Sequence, residues 1–101
     1  MNKQVDMHYI MFEAKPLPDN PESEDCGGAY INVWVNSEDS SFAVERAKNY
    51  IRNEGWEITK VEEICVTNSQ RYEDEPESLE CFNEALEYGI SALFHIWEKE
   101  N

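Results

Sequence analysis

Three stretches of the chain, residues 8–14, 29–36 and 56–67, are predicted strands. The first is rich in β-forming residues with neither face cleanly polar, which predicts a central strand or one covered on both sides, and the other two alternate hydrophobic and polar residues. A period of two is typical of β-strands, because successive side chains of a strand point to opposite faces of a sheet. The alternation is clearest in the second stretch, whose two faces are Ile31, Val33 and Val35, and Tyr30, Asn32, Trp34 and Asn36. In the third stretch the alternation slips around residues 60–63, which predicts a β-bulge or a break into two short strands.

Two further stretches repeat apolar residues every three to four positions, the period of an amphipathic helix. The first, residues 40–54, follows the possible N-cap residues of the sequence SEDSS and ends before Gly55, a residue suited to a helix C-terminus. The second, residues 78–100, follows Pro76, which suits the first turn of a helix. We therefore expect two helices, of which the second is long and reaches the end of the chain.

The predicted final helix has more apolar surface than packing against one sheet would bury. One stripe suits the sheet and contains Leu79, Phe82, Leu86, Ile90, Leu93 and Trp97. A helix that packs on one sheet needs an apolar stripe about 100° wide, so a second stripe calls for another partner. That partner is either the neighbouring helix or a second copy of the chain, and we favour a C2 homodimer, the commonest oligomer. The predicted dimer seam is Cys81, Ala85, Tyr88, Ala92 and His95.

The predicted elements follow one another in the order β-β-α-β-α. With 101 residues the chain has room for one domain, which we expect to span residues 1–101. The fold class is α+β, with two helices on one face of a three- or four-stranded mixed sheet. This layout resembles the ferredoxin-like α+β sandwiches in a permuted or truncated form. The resemblance is one of topology alone and implies no activity.

The chain carries 22 acidic and 8 basic residues, a net charge of −14. The excess lies in residues 18–39 and 72–101, and it makes residues 18–28 a predicted mobile acidic loop and residues 68–76 an acidic connector. Phosphate binding needs clustered Lys and Arg, so neither nucleic acid nor an anionic membrane is an expected partner. The charge favours solubility, or alternatively a basic protein partner. Without a membrane-length apolar run or a signal-peptide pattern, we expect a cytoplasmic protein.

Candidate chemistry is sparse. The three cysteines form no CxxC pair, which argues against a disulfide framework and a zinc site. Cys26 is the plausible exposed thiol, whereas Cys65 and Cys81 lie in apolar settings typical of packing residues. The acidic run at residues 19–25 lacks the spacing and the central glycine of a calcium loop. We therefore expect no catalytic residue, bound metal or cofactor.

The remaining candidate site is the polar-aromatic face of the second strand. If helices cover the Ile/Val face, then Tyr30, Asn32 and Trp34 lie on the opposite face, as a contact surface for a partner or a small molecule unless the chain or a dimer covers them. The sequence thus predicts a non-enzymatic protein-interaction module that self-associates. The alternative is a small-molecule-binding regulatory domain with a pocket on this sheet face.

Overall fold

The computed structural model describes residues 7–99, which form four strands and two α-helices in the order β-β-α-β-α-β. The elements are β1 (Met7–Pro16), β2 (Cys26–Asn36), α1 (Ser40–Asn53), β3 (Trp56–Thr67), α2 (Pro76–Tyr88) and β4 (Ile90–Glu98). Two short 3-10 helices, Pro21–Glu24 and Ser69–Tyr72, lie in the two acidic connections. The α+β class is confirmed.

The four strands form one sheet in the order β3-β1-β2-β4, and every neighbouring pair is antiparallel. The prediction of a mixed sheet is therefore wrong. β3 runs in the same direction as β2, as a crossover through α1 requires, but β1 lies between them and pairs with both. As a result β3 and β4 are the two edge strands.

The predicted helix at residues 78–100 is wrong beyond Tyr88. Gly89 follows α2 with a left-handed φ of 95°, and its N–H donates to the Ala85 carbonyl. A left-handed glycine after the last turn is a common helix terminator, because it costs no Cβ strain. The next nine residues form β4, an element absent from the sequence-based prediction. The apolar residues that exceeded what one helix face could bury therefore lie largely on β4.

The two helices cover opposite faces of the sheet, which corrects the prediction of a shared face and leaves the ferredoxin-like layout unconfirmed. On the α1 face, α1 contributes Ala43, Ala47 and Ile51 to a buried core that includes Ile10, Phe12, Ile31, Val33 and Val35. On the α2 face, the buried cluster is Met7, Tyr9, Trp34, Tyr72, Cys81, Phe82 and Ala85. Each face thus has its own core.

β3 carries the irregularity predicted at residues 60–63. Its pairing with β1 shifts register between Met11 and Phe12, opposite Glu62, and again between Glu13 and Ala14. The slip in the alternation is therefore confirmed as a β-bulge, and a second bulge lies nearby.

The first acidic connection is shorter than residues 18–28, because β2 already begins at Cys26. Cys26 is 5% exposed, so the prediction of an exposed thiol there is wrong. The strand extends this far because Gly28 lets the indole of Trp97 lie against its backbone. A Cβ at Gly28 would stand 2.4 Å from Trp97 Cζ2.

Candidate functional site

The two edge strands differ in how they are protected against pairing with another chain. Natural edge strands are blunted by charged side chains and bulges. β3 has both: two bulges, and the charged residues Glu57, Lys60, Glu62 and Glu63. β4 contains the sequence ISALFHIWE, in which Glu98 is the single residue carrying a full charge, and it has no proline. β4 itself therefore lacks these protective features, although β2 carries an extra residue, Gly27, opposite the Trp97–Glu98 end of β4.

Hydrogen bonding with β2 decides which backbone groups of β4 point outwards. The Asn36 N–H donates to the Gly89 carbonyl at 2.9 Å, and the register then stays regular as far as the pair Ala29 and Ile96. In an antiparallel pair the bonded positions alternate. The backbone groups of Leu93 and His95 therefore face β2, and those of Phe94 and Ile96 face away from the sheet.

α2 overlies the first half of β4, where the Cys81 thiol lies 3.9 Å from the Ala92 carbonyl oxygen. Exposure rises along the strand, and every residue from His95 to Glu98 is exposed. We call the outer side of β4 at residues 94–97 the open edge.

A groove borders the open edge on the α1 face. Its volume is about 380 Å³, and it is lined by Asn20, Pro21, Glu22, Glu54, Trp56, Phe94 and Ile96. The rings of Trp56 and Phe94 form its floor, with centroids 5.9 Å apart. They meet although two strands separate β3 from β4, because those strands place the small residues Ala14 and Ala29 between them. Ile96 stands at the rim and is 48% exposed.

An aromatic pair borders the open edge on the α2 face. The rings of Tyr30 and Trp97 have centroids 5.0 Å apart, and each residue is 37% exposed. α2 does not bury these rings, because its core contacts lie at the other end of the sheet, around Met7 and Trp34. Apolar surface is thus exposed on both sides of one short stretch of open backbone.

Acidic side chains surround this stretch. We call Glu22, Glu24, Asp25, Glu54 and Glu98 the acidic rim, since all five are exposed and line cavities beside the end of β4. Lys99 is the one base lining these cavities, and its ammonium group donates to the Ser23 carbonyl at 3.1 Å. The ion pairs found within residues 7–99 are Lys15–Glu57, Lys60–Glu62 and Arg71–Glu63, so none uses the rim. The electrostatic potential around the open edge is therefore negative.

The predicted contact face is divided by α2. Tyr30, Asn32 and Trp34 do share the face opposite Ile31, but Trp34 is fully buried against the rings of Tyr9 and Tyr72. The Tyr9 hydroxyl donates to Asn32 Oδ1 at 3.1 Å, which holds that amide in place. Tyr30 is exposed at one end of the predicted face, and the half-buried Asn32 lines a cavity of about 310 Å³ together with Leu93 and His95.

The predicted dimer seam does not form one surface in the monomer. Cys81 and Ala85 are buried and face the sheet from α2, whereas Tyr88 is 68% exposed. Ala92 and His95 lie on β4 and point to opposite faces of the sheet. Sequence reasoning assigned Ile96 and Trp97 to the helix and so missed them as site residues. The signal that identifies them is the period of two that follows Gly89.

Within residues 7–99, no three His, Cys, Asp or Glu residues are grouped closely enough to hold a metal ion. His8 is buried on the α1 face, where its Nδ1 lies 2.6 Å from the Ser37 carbonyl oxygen, and the exposed His95 lies on the other face. Burial raises the pKa of the Cys81 thiol above its ordinary value, although a hydrogen bond to Ser91 opposes the rise.

Comparison with protein-family models, with curated proteins and with solved structures finds no match for this chain. In the described residues, neither helix combines the length and the apolar character that crossing a membrane takes.

Proposed function

We propose that this protein is a non-enzymatic protein-interaction module that binds an extended segment of its partner by strand addition at the open edge. In this binding mode a peptide joins a sheet edge through main-chain hydrogen bonds, and its alternate side chains contact pockets beside the edge. The observation that carries the proposal is the contrast between the edges: both expose apolar side chains, but β3 adds four charged residues and two bulges, whereas β4 carries one full charge and no bulge of its own. The free cysteines suit a reducing compartment such as the cytoplasm.

The open edge offers two sources of binding energy. The outward N–H groups of Phe94 and Ile96 can donate new ladder hydrogen bonds and their C=O groups can accept them, each bond being worth about 0.5–1.5 kcal/mol net. Burying an isoleucine side chain fully is worth about 1.5–3 kcal/mol. Because 48% of Ile96 is exposed, covering it contributes about half of that, roughly 0.7–1.5 kcal/mol. Trp97 adds a larger ring at the same place.

The test uses a short neutral peptide of alternating threonine and valine, followed by NMR. We expect amide shifts centred on Phe94 and Ile96 and slower exchange of those two amide protons. The perturbing variant is Ile96→Lys, since lysine on an edge opposes pairing. Ile64→Lys is the matched control, because Ile64 is also 48% exposed, lies on the other edge strand and faces the same side of the sheet.

Binding that is weakened by Ile96→Lys and retained by Ile64→Lys supports strand addition at β4. Equal losses in the two variants, or shifts spread over both edges, would contradict a specific site there.

Self-association is a second binding mode, which the sequence also predicts. We now assign it to the open edge of β4 and not to the predicted helical seam. Two open edges related by a two-fold axis would extend the sheet from one copy into the next. Light scattering decides this mode, because it distinguishes 11.8 kDa from twice that mass. If a dimer forms through β4, Ile96→Lys converts it to a monomer and Ile64→Lys does not.

A small-molecule role remains a separate candidate because the groove volume of about 380 Å³ falls within the range of ligand sites, roughly 300–1,000 Å³. The aromatic floor and the carboxylates of Glu22 and Glu54 suit an organic cation. A rise in melting temperature with aromatic amines or guanidines, abolished by Glu54→Gln, would favour this role. No shift across such a series would exclude it.

A further inference from the structure

We infer that the segment bound at the open edge is basic, an extended stretch in which Lys or Arg alternates with apolar residues. This inference rests on the proposed function and names the partner that the same site selects. The observation that supports a basic segment is the negative charge around the open edge. This charge is independent of the outward backbone groups that allow a strand to pair there.

On the α1 face, an added strand would place every second side chain beside Ile96 and the groove. The groove has an aromatic floor, with the carboxylates of Glu22 and Glu54 at its rim. A lysine or arginine suits this combination, because its aliphatic stem covers apolar surface while its cationic head reaches the carboxylates. An acidic side chain in the same position would meet two like charges.

On the α2 face, the intervening side chains of an added strand would lie beside Tyr30 and Trp97. Exposed aromatic faces attract cations, and arginine stacks on them most readily. Apolar side chains also gain contact area there. Glu98 follows Trp97 in the chain but pairs with Cys26 of the α1-face core, so its carboxylate adds to the negative charge of the α1 face. Both faces thus accept the same kind of segment.

A second copy of the chain is a poorer occupant. Each copy carries a net charge of −14, and its own β4 brings one full charge, the acidic Glu98. Pairing two open edges therefore leaves the rim carboxylates without cationic partners. Charge complementarity also raises the rate of association with a basic segment, an advantage that like-charged copies lack.

The experiment compares four labelled peptides of equal length by fluorescence anisotropy with the full chain. One alternates arginine and valine, one threonine and valine, and one glutamate and valine. The fourth repeats one arginine and two prolines, so it keeps a positive charge but places prolines, which have no N–H, at edge-facing positions in either register. The charge variant is Glu22→Gln with Glu98→Gln, and its control is Glu84→Gln with Glu87→Gln on the exposed surface of α2.

We expect the arginine–valine peptide to bind tightest and its Kd to rise roughly tenfold between about 0.05 M and about 0.5 M NaCl, because salt screens exposed charges. The double variant of Glu22 and Glu98 should raise that Kd roughly fivefold, as two exposed ion pairs warrant. The same variant should leave the threonine–valine peptide unchanged, and the α2 control should change neither peptide.

The possible failures separate the two proposals. If the threonine–valine peptide binds as tightly as the arginine–valine peptide, the basic partner is wrong and strand addition stands. If the arginine–proline peptide matches the arginine–valine peptide, charge acts without pairing and strand addition is wrong. A dimer that buries β4 and excludes every peptide would replace the basic segment with a second copy. Binding of none of the peptides to a monomer would overturn both proposals.

Discussion

Replacing Gly89 with alanine tests the junction between α2 and β4. The substitution should lower the free energy of unfolding if a strand follows Gly89 and raise it if the helix continues through Gly89. In the structure Gly89 has a φ of 95°, a left-handed conformation that costs an L-residue with a Cβ about 1–2 kcal/mol. The new Cβ would lie 2.8 Å from Arg46 Nη1, the end of a flexible side chain that can move aside. Gly89→Ala should therefore lower the free energy of unfolding by about 1–2 kcal/mol.

In a continuous helix through residues 78–100 the same substitution would have the opposite effect. Alanine in a helix interior is more favourable than glycine by about 0.8–1.0 kcal/mol, so the protein would gain stability. The two folds thus differ by roughly 2–3 kcal/mol in their response to one substitution.

Urea unfolding followed by circular dichroism measures this difference. Gly89→Asn should cost less than Gly89→Ala, because asparagine tolerates the left-handed region. Gly55→Ala is a second reference, since Gly55 follows α1 with a φ of 92°. A stabilised Gly89→Ala together with a destabilised Gly55→Ala would refute the helix–strand junction.

Two further predictions concern side-chain chemistry. Burial, followed by the charge of Glu63, raises the pKa of Tyr9 from its ordinary value of 10.0 to about 12. Its neutral form therefore stabilises the fold fully below pH 10 and loses this contribution as the pH rises to about 12. Urea titrations across that range should show the loss in the wild type and a smaller one in Tyr9→Phe. Thiol labelling of the native protein should modify Cys65, which is half-buried, faster than the buried Cys26 and Cys81; equal rates for all three would contradict the packing of the two cores.

Much of the fold could be predicted because local periodicity reports local structure. The bounds of β3 and α1 follow from their apolar repeats and from Gly55, and the bulge near Glu62 shows in the sequence as a slipped alternation. The pairing partner of β3 could not be predicted in this way, because strand order depends on how α1 crosses the sheet. The positions of the helices on opposite faces depend on that same crossing.

The candidate site was the hardest part to predict, because the segment after Gly89 is apolar at almost every position. Such a run fits a period of two and a period of 3.6 about equally well. The period of 3.6 therefore places Ile96 and Trp97 on a helix and predicts a dimer seam from residues that the fold separates. By contrast, the Tyr30 side of β2 was placed on the correct face, since clear alternation fixes which side chains share a face.

Amide hydrogen exchange along β4 is the measurement that tests the open edge most directly. The N–H groups of Leu93 and His95 donate within the sheet, whereas those of Phe94 and Ile96 point away from β2. The free protein should therefore show alternating protection, slow at Leu93 and His95 and fast at Phe94 and Ile96. A strand-forming basic peptide should slow the two fast amides. Equal protection of all four amides in the free monomer would contradict an open edge at β4.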